Sequence, residues 1–175
     1  MELDDALSLI RPIPNFPKKD ILFQDITPLL ADANAFACVV EKMAESNQNS
    51  DYVAGMEARG FIFASAIAKH LHIGFIPIRK SGKLPAVTYS ESYGLEYGDD
   101  TLEIHTDACQ PRSRVIIVDD VLATGGTACA AIKLIKKTDA IVSQLIFLLE
   151  ISSLNGRQRI ASEFPDLEIK SLKII

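Results

Sequence analysis

Cysteine is scarce and unpatterned in this chain: Cys38, Cys109 and Cys129 are odd in number and have neither CxxC nor zinc-finger spacing. A disulfide framework and a thiolate zinc site are therefore set aside. The three are read as free thiols of a reducing, cytoplasmic compartment, filling space as small buried side chains rather than reacting. Long apolar runs are also missing, and no segment approaches the ~20 residues that a membrane span needs. The start, MELDDALSLIRPIP, is acidic and lacks the apolar stretch of a secretory signal. Eighteen basic residues against 23 acidic give a net charge of −5, which argues against a non-specific nucleic-acid or membrane surface. Anion binding must then be local. Internal repeats, low-complexity tracts and linkers are absent, so residues 1–175 are expected to form one domain burying about 70% of its unfolded surface.

What the chain does contain is an alternation of helical and strand patterns. Residues 4–10 make a short amphipathic start, and residues 35–43 place Phe36, Val39, Val40 and Met43 at helical spacing. Strands are expected at 52–55, 73–78, 115–119 and 141–149, with a helix at 60–70. Residues 84–93 and 101–106 read as an antiparallel pair, since Thr101 to His105 alternate polar and apolar. The fold class is α/β, a mainly parallel central sheet with helices on both faces. Ligands in such sheets sit at the carboxyl ends of strands, where the loops after Gly55, Ile78 and Asp119 would gather.

The most informative stretch is residues 115–128, VIIVDDVLATGGTA. A β-branched run leads into two acids and a turn, residues 119–126. An amphipathic helix follows, with Ala128, Ala131, Ile132 and Ile135 on one face. Gly125 and Gly126 allow positive φ and close approach of backbone N–H groups to an anion, and Thr124 and Thr127 add hydroxyl donors at a helix N-terminus. Asp119 and Asp120 repel phosphate, yet they accept from sugar hydroxyls or face a metal. Together these groups suit a phosphorylated sugar. A plain strand-turn-helix with acids capping the helix would explain a lone Gly-Gly-Thr turn. No Gly-Lys-Ser/Thr follows, so this is no Walker loop, and the first glycine comes too late for a dinucleotide fingerprint.

The full string resembles the signature of the type I phosphoribosyltransferases, which use 5-phosphoribosyl-1-pyrophosphate (PRPP). Further blocks extend the likeness over roughly residues 12–160, in the family's order: Phe16-Pro17, residues 21–30 (ILFQDITPLL), 55–61 (GMEARGF), 79–85 (RKSGKLP) and 95–98 (LEYG). These blocks are similar to the adenine-specific members. The resemblance implies transfer of the phosphoribosyl group from PRPP to N9 of adenine, giving AMP and pyrophosphate, by a cytoplasmic homodimer using Mg²⁺, with no nucleic acid and no membrane as partner. It implies a small N-terminal hood at about 12–32, a core at about 33–175, and a flexible antiparallel loop over the site.

The resemblance also distributes roles. Asp119 and Asp120 meet the ribose hydroxyls, and Ala123, Thr124, Gly125, Gly126 and Thr127 hold the 5′-phosphate. Glu57, Ala58 and Arg59 form the pyrophosphate loop, with a non-proline cis peptide expected at Glu57–Ala58. Arg79, Lys80 and Lys83 are a basic loop that a bare reading leaves solvated, and that here has a use in binding the leaving group; Arg79 is expected to serve the neighbouring subunit's site. Arg59 at a helix start opposes the helix dipole, which favours a binding role over a surface one. Catalysis is assigned to Arg59, Asp119, Asp120 and Glu96, the last as proton acceptor for the purine or else a solvated carboxylate, with Tyr97 in the flexible loop. Leu22, Phe23 and Gln24 present main-chain groups and a ring to adenine, opposite Ile151, and Asp25 braces the hood. No direct protein ligand for Mg²⁺ is expected beyond Asp119 or Asp120 through water.

Two departures are noted: Gln24 stands where vertebrate members have Arg, and Glu57-Ala58 where they have Asp-Ser, the latter pair being similar to bacterial members. Ala123 occupies the position where the 6-oxopurine enzymes place an acid, which disfavours hypoxanthine or guanine as substrate. Rival readings are a PRPP-binding transcription regulator, which would need a DNA-binding domain, and an enzyme for orotate or xanthine.

Overall fold

A computed structural model of the chain describes residues 1–45, 47, 49–94 and 100–175. They form two compact units, Met1–Met43 and Ala44–Ile175.

In the first unit, helix α1 (Leu3–Ser8) precedes two short antiparallel strands, β1 (Arg11–Pro14) and β2 (Leu22–Asp25), then helices α2 (Thr27–Ala31) and α3 (Ala33–Ala44), whose end enters the second unit. Pro17 follows a cis bond, and Asp20 and Asn15 take left-handed backbone in the connection between the strands. Asp25 does brace this unit. Its carboxylate accepts from the Thr27 hydroxyl and N–H and from Arg11 Nη2 at 2.6 Å. Those bonds, Thr27 first, lower its pKa to about 2. The strands were not expected, because four-residue segments rich in proline carry no periodic signal.

In the second unit seven strands make one sheet in the order β5-β6-β4-β3-β7-β8-β9. β3 (Tyr52–Met56), β4 (Gly74–Lys80), β7 (Arg114–Leu122), β8 (Ile141–Glu150) and β9 (Ile169–Ile174) are parallel. β5 (Thr88–Tyr93) and β6 (Asp100–His105) add the expected antiparallel pair at one edge. From the centre, β3 crosses to β4 through α4 (Gly60–Leu71) in one direction, and β7 crosses to β8 through α5 (Gly126–Lys137) in the other. Right-handed crossovers in opposite directions place the two helices on opposite faces. The direction reverses between β3 and β7, and that switch point is where a crevice opens at the carboxyl ends of the strands.

Ile116, Ile117, Phe147, Ile76 and Ile78 are fully or almost fully buried in the sheet, and Phe63 and Ile67 bury the inner face of α4. α5 buries the four residues its periodicity predicts and also Cys129, Ala130 and Leu134, a wider face because the helix packs on β5 and β6 and against α6 (Gly156–Glu163) as well as on β7 and β8. One boundary moves and one strand is added. β7 runs to Leu122 rather than stopping at Asp119, since Asp119, Val121 and Leu122 pair with Phe147, Leu149 and Glu150. The acids therefore sit on a strand end and not in a loop. β9, not expected, is an edge strand whose lysines, Lys170 and Lys173, obscure its pattern.

Candidate active site

At the switch point lies a cavity of about 590 Å³. One wall is residues 57–59, between β3 and α4; Lys80 and Tyr93 come from the ends of β4 and β5. Asp119, Asp120 and Val121 close β7, with Ala123 and Thr127 beyond them. The structure thus brings together Glu57, Ala58, Arg59, Lys80, Asp119, Asp120, Ala123 and Thr127. A small adjoining niche of about 50 Å³ includes Ala123, Thr124, Gly125 and Thr127 with Phe147 at its back.

The loop between β7 and α5 is built by backbone. Gly125 alone takes a left-handed conformation, φ 79°; Gly126 is the first residue of the helix and needs no such freedom, contrary to the expectation for both glycines. The N–H groups of a first helical turn have no intrahelical partners, as an anion-binding terminus requires. Across the crevice the Glu57–Ala58 bond is cis, as the resemblance implied. α4 can close on β7 because residue 60 is glycine: a Cβ there would lie 2.8 Å from Asp119 Oδ1 and 2.9 Å from the Val118 carbonyl oxygen.

Charge in the site is partly self-compensated. Arg59 Nε lies 2.7 Å from Asp120 Oδ2, an ion pair with the carboxylate 5% exposed and the guanidinium 44%. That oxygen is outside hydrogen-bonding geometry, so the contact is one of charge alone. Burial raises the Asp119 carboxyl well above the usual carboxylate range, and the Asp120 charge adds to the rise. The Asp120 N–H at 2.9 Å and the Arg59 charge only partly offset it. Burial raises Asp120 as well, against the pull of Arg59.

The remaining assigned residues are placed less uniformly. Arg79 forks onto Glu57, Nε to Oε2 at 3.2 Å and Nη2 to Oε1 at 3.1 Å, and Glu57 also accepts from the Lys80 N–H. The Arg79 bond is the main reason the Glu57 carboxyl titrates below its ordinary value. The Glu57 side chain is thus held by a cation of its own chain, and Arg79 is occupied within the subunit. Lys83 does not line the cavity; its carbonyl accepts from Arg79 Nη1. Leu22, Phe23 and Gln24 lie on β2 in the first unit, Leu22 exposed and Phe23 edge-on to Phe16. Ile151 follows β8 and donates its N–H to the Leu122 carbonyl. Glu96 and Tyr97 lie outside the described residues. Tyr93 is a lining residue that emerges only here. An aromatic residue closing a strand before Gly94 was the one available signal for Tyr93.

Residues 26–173 match the phosphoribosyl transferase domain family. Over 167 residues the chain is 50% identical to the adenine phosphoribosyltransferase of Acidobacterium capsulatum, covering 94% of this chain and 90% of that one. The chain belongs to the adenine phosphoribosyltransferase family. The crystal structure of an adenine phosphoribosyltransferase from Thermoanaerobacter pseudethanolicus superimposes with a TM-score of 0.91 at 47% identity, covering 99% of this chain and 100% of that one. The enzyme from Saccharomyces cerevisiae, complexed with an imino-altritol bisphosphate and adenine, gives 0.87 at 34% identity over 97% of both chains. The seven-stranded mixed sheet flanked by helices is the adenine phosphoribosyltransferase fold.

Proposed function

We propose that this chain is a pentosyltransferase that moves the 5-phosphoribosyl group from PRPP to N9 of adenine, releasing pyrophosphate and forming AMP in purine salvage. The observation that carries this reading is the meeting, in one cavity, of three groups from separate strands: the 57–59 loop, Lys80, and the acid pair with its phosphate loop.

The 5′-phosphate sits on the N–H groups and hydroxyls of residues 123–127, and its binding energy orients C1 of the ribose. Asp119 and Asp120 accept from the ribose hydroxyls and favour the cationic character that develops at C1. The bond from C1 to pyrophosphate breaks as the bond to N9 forms; Arg59 and Lys80 receive the leaving charge, and Glu96 takes the purine proton. No covalent bond to the protein forms. Adenine recognition is assigned to Leu22, Phe23, Gln24 and Ile151.

Mg²⁺ suits this donor set. Two adjacent carboxylates, Asp119 and Asp120, line the cavity, and such a pair can hold through water an ion that is carried in on phosphate oxygens. When bound it would neutralise charge on the departing pyrophosphate. Three free cysteines support a reducing cytoplasmic setting, and the homodimer is carried over from the family resemblance.

Incubation with PRPP, Mg²⁺ and adenine, hypoxanthine, xanthine or orotate in turn tests the proposal. Adenine should exceed hypoxanthine in kcat/KM by at least ~100-fold, because an oxo group at C6 turns a donor into an acceptor and leaves polar groups unpaired. Comparable values for the two bases refute it.

A further inference from the structure

Behind the phosphate loop, α6 begins with a buried glycine, Gly156, after Asn155 in left-handed conformation. A Cβ on Gly156 would lie 2.2 Å from the Ala123 carbonyl oxygen, 2.9 Å from Leu122 Cδ1 and 3.0 Å from the Gly125 nitrogen. From the other side, a Cβ on Gly125 would lie 2.7 Å from the Gly156 carbonyl oxygen. The two glycines press backbone on backbone, and backbone cannot rotate out of the way as a side chain can.

The next residue fixes that contact. Arg157 donates from Nε to Glu150 Oε1 at 2.9 Å and from Nη1 to the Ile169 carbonyl at 2.8 Å. Ser171 Oγ donates to Glu150 Oε2 at 2.7 Å. Glu150 is 5% exposed and ends β8, opposite Leu122, the last residue of β7 before the phosphate loop. The clamp ties the start of α6, the ends of β7 and β8, and β9 into one rigid seat.

We infer that Gly156, held by the Arg157–Glu150–Ser171 clamp, is a positioning residue for the 5′-phosphate: its missing side chain sets how far residues 123–125 settle back, and hence where their N–H groups point. The inference rests on the reading of residues 123–127 as the phosphate site. It requires that disturbing the seat weaken ligands carrying the ribose 5′-phosphate and spare pyrophosphate, whose contacts come from residues 57–59 and Lys80 on other strands.

The test is calorimetric titration of the full chain with AMP and, separately, with Mg²⁺-pyrophosphate. Gly156→Ala should lower AMP affinity by about tenfold to a hundredfold, the scale of one lost hydrogen bond to a charged group, while pyrophosphate affinity stays within about twofold. Arg157→Lys keeps the charge and loses the forked grip, so it should show the same selectivity at smaller size, and it decides the matter if Gly156→Ala does not fold. Unchanged AMP affinity in the folded variant, or parallel loss of both ligands, overturns the inference. Thr127→Val separates the two levels. If it weakens AMP and Gly156→Ala does not, only the seat is refuted; if Thr127→Val has no effect, the phosphate-site reading fails first.

Discussion

Arg59→Ala has two opposed consequences whose sizes follow from the site. In the free protein Arg59 is paired with Asp120, and it is also the guanidinium nearest the assigned pyrophosphate position. A hydrogen bond to a charged group contributes about 1.5–3 kcal/mol. An ion pair with one partner largely solvated contributes about 0.2–1 kcal/mol, and Arg59 is 44% exposed. Pyrophosphate must draw Arg59 away from Asp120 to use it, so the net loss in the variant is roughly 1–2 kcal/mol, about 5- to 30-fold in affinity. AMP has no pyrophosphate. It needs Asp120 for the ribose and must displace Arg59 to reach it, so in Arg59→Ala its affinity should hold or rise, by up to about fivefold. Calorimetry with Mg²⁺-pyrophosphate and with AMP on wild type and variant reads both arms. If AMP weakens as much as pyrophosphate, Arg59 is holding the site together and not receiving the leaving group.

The acid pair yields a test of pH dependence. Asp119 titrates well above 3.8 in the fold, so its ionisation costs stability as pH rises from that value through the folded pKa, and that cost is absent below it. Asp119→Asn should therefore melt higher than wild type at pH 7, lose that advantage near pH 4, and be severely impaired in turnover; a variant less stable than wild type at every pH contradicts the assignment of burial as the dominant cause. Thr127→Val, which keeps shape and removes one phosphate donor, should weaken AMP by about 1–3 kcal/mol with little change in kcat at saturation; a fall in kcat with AMP affinity intact would place Thr127 outside the phosphate site.

The chain's local chemistry was sufficient for the order of elements and for the heart of the site. Apolar runs such as residues 115–118, the helical spacing after Thr127 and the acid-acid-turn string are properties of neighbours in sequence, so they are visible without the fold. The antiparallel pair was legible for a related reason, since its alternation lies within short blocks, whereas the cis bond at Glu57–Ala58 was expected from the family resemblance alone. What depended on tertiary structure was set by residues far apart along the chain. β7 continues to Leu122 because β8 pairs with it, and β9 exists because β8 offers an edge to a lysine-studded segment. Arg59 is paired with Asp120, and Arg79 with Glu57, because the crossovers bring the ends of β3, β4 and β7 to one crevice. Gly60 and Gly156 look like ordinary helix-start glycines in the sequence. Only the packed molecule shows that one makes room for Asp119 and the other for the phosphate loop, because steric exclusion at a backbone is a property of what lies opposite.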